Sequence, residues 1–313
     1  MGTTKITKKK TANHEEWLAL RSQYIGGSDA AAVVGLNPYA SRYSLWAEKT
    51  GKVPGFSGNL ATEVGTYLEE FVAKKFEQET GKKVRRCTQS FFNSDYPFAI
   101  ANIDREIVGE DAGLEIKTTS ALNLKKFKNG EYPSNYYAQM VHYMAVTGKK
   151  RWYLAVLIGN HDFKMFTIER DEEEIFALMS AEKEFWGLVE SDTPPAPDGS
   201  AATTATIKTV YSENNDDTID LYGCTPDIER YIALGEQIKE LEDLRDEAAN
   251  RVKVFMGDFG GGETDQYKVT WKTSTRSTFD SKRFLKEHPD IDVSGYYKET
   301  STRTFRVAEQ KGV

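Results

Sequence analysis

The 313-residue sequence contains only two cysteines, Cys87 and Cys224. They are far apart, so they supply neither a disulfide framework nor a zinc-ligand pattern. That scarcity fits a reducing, cytoplasmic setting. No apolar run approaches the ~18 residues of a membrane span. The N-terminal stretch MGTTKITKKK has no apolar segment behind its lysines, so no secretory signal is expected there. An excess of positive charge is also missing. The formal net charge is -7, which argues against a general polyanion binder.

The remaining composition is that of a folded protein: 39% hydrophobic, 12% aromatic and 28% charged residues. Such a chain has the length for about two domains and for a core that needs no metal or disulfide to fold. The negative charge is local, with nine acids and two bases between Glu169 and Asp192. Elsewhere there are basic clusters: Lys74-Lys75, Lys82-Lys83-Arg85-Arg86, Lys125-Lys126-Lys128 and Lys149-Lys150-Arg151. Each can follow a phosphate backbone or simply form a solvated face.

Residues 1–13 read as a flexible basic arm and residues 14–190 as a first globular domain. The expected helices there are GSDAAAVVGL, ATEVGTYLEEFVAKKFEQETG, SNYYAQMVHYMAVTG and an acidic helix ending at Val189. In the second of these, Val64, Leu68, Phe71, Val72 and Phe76 share one face. Strands are expected at KKVRRCTQSFF, KRWYLAVLIGN and KMFTIER, with a hairpin over PFAIANIDREIVGEDAGLEIKTTS. That order predicts an α/β core around a central mixed sheet. Residues 191–225, opening with SDTPPAPDGSAATTA, read as a linker or extended segment. Residues 226–313 read as an accessory domain. Its long helix opens at Thr225-Pro226-Asp227 and carries a seam of Tyr231, Leu234, Ile238, Leu241, Ala248, Val252 and Phe255. FGGGE stops that helix. Two strands, YKVTWKTSTRSTF and YYKETSTRTFRV, then flank a short helix, SKRFLKEHP.

The informative stretch is IANIDREIVGEDAGLEIKTT. If Gly109-Glu110 forms a two-residue turn, Val108 pairs with Asp111 and Asp104 lies opposite Glu115. Lys117 then shares their face, while Ile103, Ile107, Leu114 and Ile116 fall on the other. Two carboxylates whose Cβ atoms lie about 5 Å apart across a strand pair repel, and one is pushed toward neutrality. A hard divalent cation removes the conflict, and carboxylate and carbonyl oxygens suit Mg²⁺. The lysine can hold an attacking water or help deprotonate it. Spacing alone leaves open a salt-bridged hairpin with no catalytic role.

D-x10-E-I-K on a hairpin resembles the PD-(D/E)XK nuclease motif. The wider sequence is similar to the YqaJ-like viral recombinase family, the lambda-exonuclease type of alkaline exonuclease. WLALRSQYIGGSDAAAVVGLNPY resembles the family's N-terminal motif, VGTYLEEFV its G-x-x-x-E helix, and ANIDREI with LEIKTT its two metal strands. YYAQMVHYMAVTGKKRWYLAV resembles its glutamine-bearing helix and following strand. Together these pieces cover roughly residues 14–190, and the later region looks like the extension of longer members. The usual Pro-Asp is Ile103-Asp104 here, so nothing rests on a proline.

The resemblance implies a PD-(D/E)XK core and a Mg²⁺-dependent 5′-to-3′ exonuclease, with Mn²⁺ as the alternative metal and one or two ions bound. Asp104 and Glu115 would hold metal with the carbonyl of Ile116, and Glu69 would do so directly or through water. Lys117 would be the catalytic lysine, and Gln139 would orient the site near the nucleophile. Arg21, Ser28 and Gly27 would receive a 5′-terminal phosphate, for which an Arg fork and the N–H groups of a helix start are suited. The implied substrate is a linear duplex DNA end, in a bacterial or phage-infected cell. The implied products are 5′-phosphomononucleotides and a 3′ single strand for a single-strand annealing protein, and the implied assembly is a ring-shaped trimer. Two other readings remain. One is an endonuclease of the same superfamily, which would not need Arg21. The other is a recombination adaptor acting through the 226–256 helix. Trp271, Tyr296 and Tyr297 read as core aromatics before they read as base-stacking platforms.

Overall fold

The computed structural model describes residues 4–215, 217–300 and 302–308. The first three residues of the expected basic arm and the last five of the C-terminal region lie outside that range, as does Ser301 in the second expected strand. The chain divides into two compact units, residues 1–212 and 213–313.

The first unit opens with β1 (Ile6–Lys9), α1 (His14–Ser22), β2 (Ile25–Gly26), α2 (Gly27–Val33), α3 (Arg42–Lys49) and α4 (Leu60–Thr80). Then come β3 (Val84–Arg86), β4 (Ser90–Asn93), β5 (Ala99–Ile100), β6 (Arg105–Ile107) and β7 (Ala112–Thr119). It closes with α5 (Ser134–Thr147), β8 (Arg151–Ile158), β9 (Asp162–Glu169), α6 (Glu172–Glu190) and α7 (Ala201–Val210). The central sheet runs β3-β6-β7-β8-β9. β7 and β8 are parallel, joined by the α5 crossover, and the other pairings are antiparallel. This is the mixed α/β core expected from the sequence.

Both faces of the central strands are covered, so β8 reads as a near-continuous apolar run. On one face Leu114, Ile116, Tyr153 and Ala155 meet Val72, Ala73 and Phe76 of α4. On the other, Trp152, Leu154 and Val156 belong to the core that includes α2, α5 and α6. α4 starts at Asn59, whose side chain accepts from Thr62 N at 3.1 Å, and stops at Gly81 with φ +70°. Its buried stripe is narrower than the expected face: Val64 and Phe71 are exposed.

Two expected segments differ. Within the basic arm, residues 6–9 pair antiparallel with β4. Lys8 lies 4.3 Å from the centre of the Phe91 ring and 3.2 Å from Glu106, so its charge is compensated and its stem packed. Within the expected linker, α7 is capped by Ser200, which accepts from Thr203 N at 3.2 Å. Thr203 Oγ1 donates to Ser41 Oγ at 2.7 Å, and Ile207 and Val210 pack on the core. The first unit therefore extends beyond 14–190 at both ends.

The second unit contains α8 (Thr225–Met256), the antiparallel hairpin β10 (Gly261–Glu263) and β11 (Lys268–Thr270), and α9 (Ser281–Glu287). Pro226 sits in the first turn of α8, and Gly257 at φ +55° ends it. Its seam residues Tyr231, Leu234, Ile238, Leu241, Val252 and Phe255 are exposed, and Tyr231 meets Phe305 edge-on at 5.3 Å. Of the two expected strands, only Lys268–Thr270 is a strand among the described residues. The rest is rich in Ser, Thr, Lys and Arg and offers no apolar face to bury. Trp271, Tyr296 and Tyr297 are accordingly exposed rather than core residues. Among the described residues no helix is long and apolar enough to cross a membrane.

Candidate active site

The β6–β7 hairpin positions the acids. Arg105 pairs with Leu114 and Glu106 with Gly113, and Gly109 takes the positive φ, +79°, that the turn requires. This is the expected register, and it sets Asp104 across from Glu115. Asp104 Oδ2 accepts from Ile116 N at 2.8 Å. The N–H and C=O of one strand residue point to the same edge, so the Ile116 carbonyl also faces the Asp104 side. Lys117 Nζ lies 2.6 Å from Glu115 Oε1. Ile103 departs from the expected face. It packs in the α5-side core, while Ile107, Leu114 and Ile116 pack under α4. Regular alternation begins only at Arg105, so parity breaks before β6.

Glu115 is 2% exposed. Its Oε1 accepts from Lys117 and from Gln139 Nε2 at 2.9 Å, while its Oε2 is buried without a hydrogen-bond partner among the described residues. Burial, then the neighbouring Glu115 charge, pushes the Asp104 carboxyl well above the usual carboxylate range, against the pull of Lys117. Burial also raises Glu115, opposed by Lys117. Burial alone would depress Lys117, but Glu115 and Asp104 outweigh it and hold it protonated. The site thus has a buried acid, a half-buried one, one ammonium and one orphaned carboxylate oxygen. A divalent cation fits this oxygen-donor set and its uncompensated charge.

Glu69 comes near, since its charge raises both acids. Its carboxylate is engaged, however, by Arg105, which is 3% exposed and also meets Glu70 at 3.2 Å and the Asp104 carbonyl at 2.9 Å. Among the described residues no group of three His, Cys, Asp or Glu side chains is arranged to hold a metal ion. The expected Glu69 ligand is an ion-pair partner in this structure.

Arg21 and Ser28 are brought together. Arg21 Nη2 donates to Ser28 Oγ at 2.6 Å, and the guanidinium carbon Cζ lies 5.4 Å from the Trp17 ring centre. Behind them Asp29 holds Lys49 Nζ at 2.8 Å and Arg21 at 3.7 Å. Burial opposes ionisation of Asp29, but Lys49 and Arg21 outweigh it and lower its pKa. Asp29 Oδ2 also accepts from Gly26 N at 3.0 Å, so that helix-start N–H already has a partner. Gly27 acts through what it lacks: a Cβ there would run into the Tyr143 ring. Gln139 Nε2 donates to Tyr143 Oη at 2.8 Å as well as to Glu115. One face of α5 therefore connects the Arg21–Ser28 cluster to the acid pair.

Sequence reasoning passed over Arg105, Asp29, Lys49 and Tyr143. The available signals were a lone acid inside the small-residue run GSDAAAVV, a basic residue at buried parity in IDREI, and a tyrosine four residues after Gln139.

A mixed sheet that presents an aspartate before one strand and Glu-x-Lys on the next defines the PD-(D/E)XK class. A model of the YqaJ-like viral recombinase domain matches residues 16–150. The YqaJ protein of Bacillus subtilis (strain 168) is 40% identical over 310 residues, covering 97% of each chain. The chain belongs to the YqaJ-like viral recombinase family. Among solved structures, LHK-Exo in complex with dAMP matches with a TM-score of 0.50 and 23% identity, over 57% of this chain and 94% of that one. LHK-Exo is an alkaline exonuclease from Laribacter hongkongensis, and this likeness concerns the fold.

Proposed function

We propose that the protein is a Mg²⁺-dependent 5′-to-3′ exonuclease acting on linear duplex DNA ends. It would release 5′-phosphomononucleotides and leave a 3′ single strand for an annealing protein in phage-type recombination, in the cytoplasm. The observation that carries this reading is the pairing of two sites. The Asp104–Glu115 pair with Lys117 suits phosphodiester hydrolysis, and the Arg21–Ser28 cluster, linked to it through α5, suits a terminal phosphate. An alkaline exonuclease among the proteins of the same fold supports it further.

Asp104, Glu115 and the Ile116 carbonyl would hold the metal, with Glu69 as a further ligand once Arg105 releases it. When bound, the cation neutralises the scissile phosphate and acidifies a water. Lys117, kept protonated by its two carboxylate neighbours, positions the attacking water and balances charge developing on the phosphate rather than removing a proton. Gln139 holds Glu115. The Arg21 guanidinium and the Ser28 hydroxyl bind the 5′ phosphate as a charge-assisted fork, and Lys49 offsets the Asp29 charge behind it.

The test compares linear and closed-circular duplex in Mg²⁺, with phosphorylated and unphosphorylated 5′ ends. The expected result is loss of one strand from linear DNA alone, faster with a 5′ phosphate and abolished by Lys117→Ala. Arg21→Ala should erase the preference for the phosphate. Cleavage of the circle with no effect of Arg21→Ala would replace the exonuclease by an endonuclease.

A further inference from the structure

Tyr143 is absent from every role considered so far, yet it is the second partner of the amide that holds Glu115. Gln139 Nε2 donates one hydrogen to Glu115 Oε1 at 2.9 Å and the other to Tyr143 Oη at 2.8 Å. An amide turned the other way would set its carbonyl against a carboxylate oxygen, which repels. With the amide turned by Glu115, the tyrosine hydroxyl accepts its second hydrogen, so both N–H bonds are satisfied. The hydroxyl itself is fixed by a stack of rigid pieces. The Tyr143 ring lies 5.2 Å from the Trp152 ring. Gly27 backs the tyrosine and Gly113 backs the tryptophan, and a Cβ at either glycine would collide with the ring it faces. Two glycines thus make room for two aromatic rings, and those rings aim one oxygen at Gln139. Tyr143 is 4% exposed, so water does not compete for that bond.

We infer that Tyr143 is a positioning residue that locks the Gln139 amide, and through it the Glu115 carboxylate, in the geometry that receives the metal. This rests on the metal-site reading above. Phenylalanine at this position keeps the ring and its packing and removes only the hydroxyl. The amide then has one buried N–H without a partner, and its hold on Glu115 is weakened.

The experiment is a double-mutant cycle on the full chain with Tyr143→Phe, Gln139→Ala and both together. The first readout is Mn²⁺ affinity by titration calorimetry, with Mn²⁺ alone and no DNA. The second is kcat and KM on 5′-phosphorylated linear duplex, with thermal unfolding to confirm that each variant folds. Tyr143→Phe should weaken Mn²⁺ binding about fivefold, the size of one hydrogen bond to a buried group. It should lower kcat by a similar factor and leave KM unchanged. In the Gln139→Ala background it should do nothing further. Unchanged Mn²⁺ affinity in Tyr143→Phe, or losses that multiply in the double variant, would overturn the inference. The nuclease reading fails separately: a wild-type chain that binds Mn²⁺ and cuts nothing removes that reading, while a non-additive Mn²⁺ cycle still upholds Tyr143.

Discussion

At the scale of single residues, the structure places charge where solvent cannot reach it. Glu115 is buried and Asp104 half-buried, Lys117 is paired with Glu115, and desolvation raises both carboxyls. The folded form therefore binds their protons more tightly than the unfolded chain does. Without metal, stability is lost as pH rises from about 4, the ordinary carboxylate range, through the raised Asp104 value. Asp104→Asn should remove the Asp104 share of this loss, raising the melting temperature of the metal-free protein at pH 8 by about 2–4 °C while abolishing nuclease activity. Differential scanning calorimetry with a chelator checks this. Asp29 behaves in the opposite way. Its folded pKa is lowered, so its contribution is present above pH ~4 and is lost as pH falls through the folded value. Asp29→Asn leaves the Lys49 ammonium, whose side chain is 2% exposed, without its partner. It should cost about 3 kcal/mol in a urea unfolding curve at pH 7, and the acid-side slope should flatten. Asp104, Glu115, Lys117 and Gln139 were legible in the sequence because their types and spacing carry a motif. Arg105 and Lys49 were not, because a basic residue looks the same in sequence whether it ends in water or against a buried acid.

At the scale of elements, the hairpin register could be read because it is set locally, by Gly109 at the turn and by alternation from Arg105 onward. β1 and α7 could not. β1 is a basic run that pairs with β4, where Glu106 and Phe91 receive Lys8. α7 is a Thr/Ala-rich segment whose helix is secured by Ser41, the Ser200 cap and the burial of Thr203 and Thr206. In both cases partners distant in sequence decide the local structure. A chain ending at residue 190 loses this cover over α3, whereas one ending at residue 212 keeps it. The shorter fragment should melt at least several degrees lower than the longer one, as followed by circular dichroism. Equal melting temperatures would show that α7 contributes nothing to the first unit.

At the scale of the whole molecule, a net charge of -7 coexists with a site suited to phosphate. The two are compatible because the acids of the site form a pair that a cation can neutralise, while the cations of Arg21 and Lys49 are clustered around Asp29. Every proposed catalytic or phosphate-binding residue lies within residues 1–212, so the central claim concerns that unit. The most direct measurement follows a duplex carrying a label on one 5′-terminal phosphate, incubated with the full chain and Mg²⁺ and sampled from the first turnover. The account predicts that the label appears first as a mononucleotide, only with divalent metal, and not at all with Glu115→Gln. Label that leaves first in longer fragments, or that is released equally well in a chelator, would contradict it.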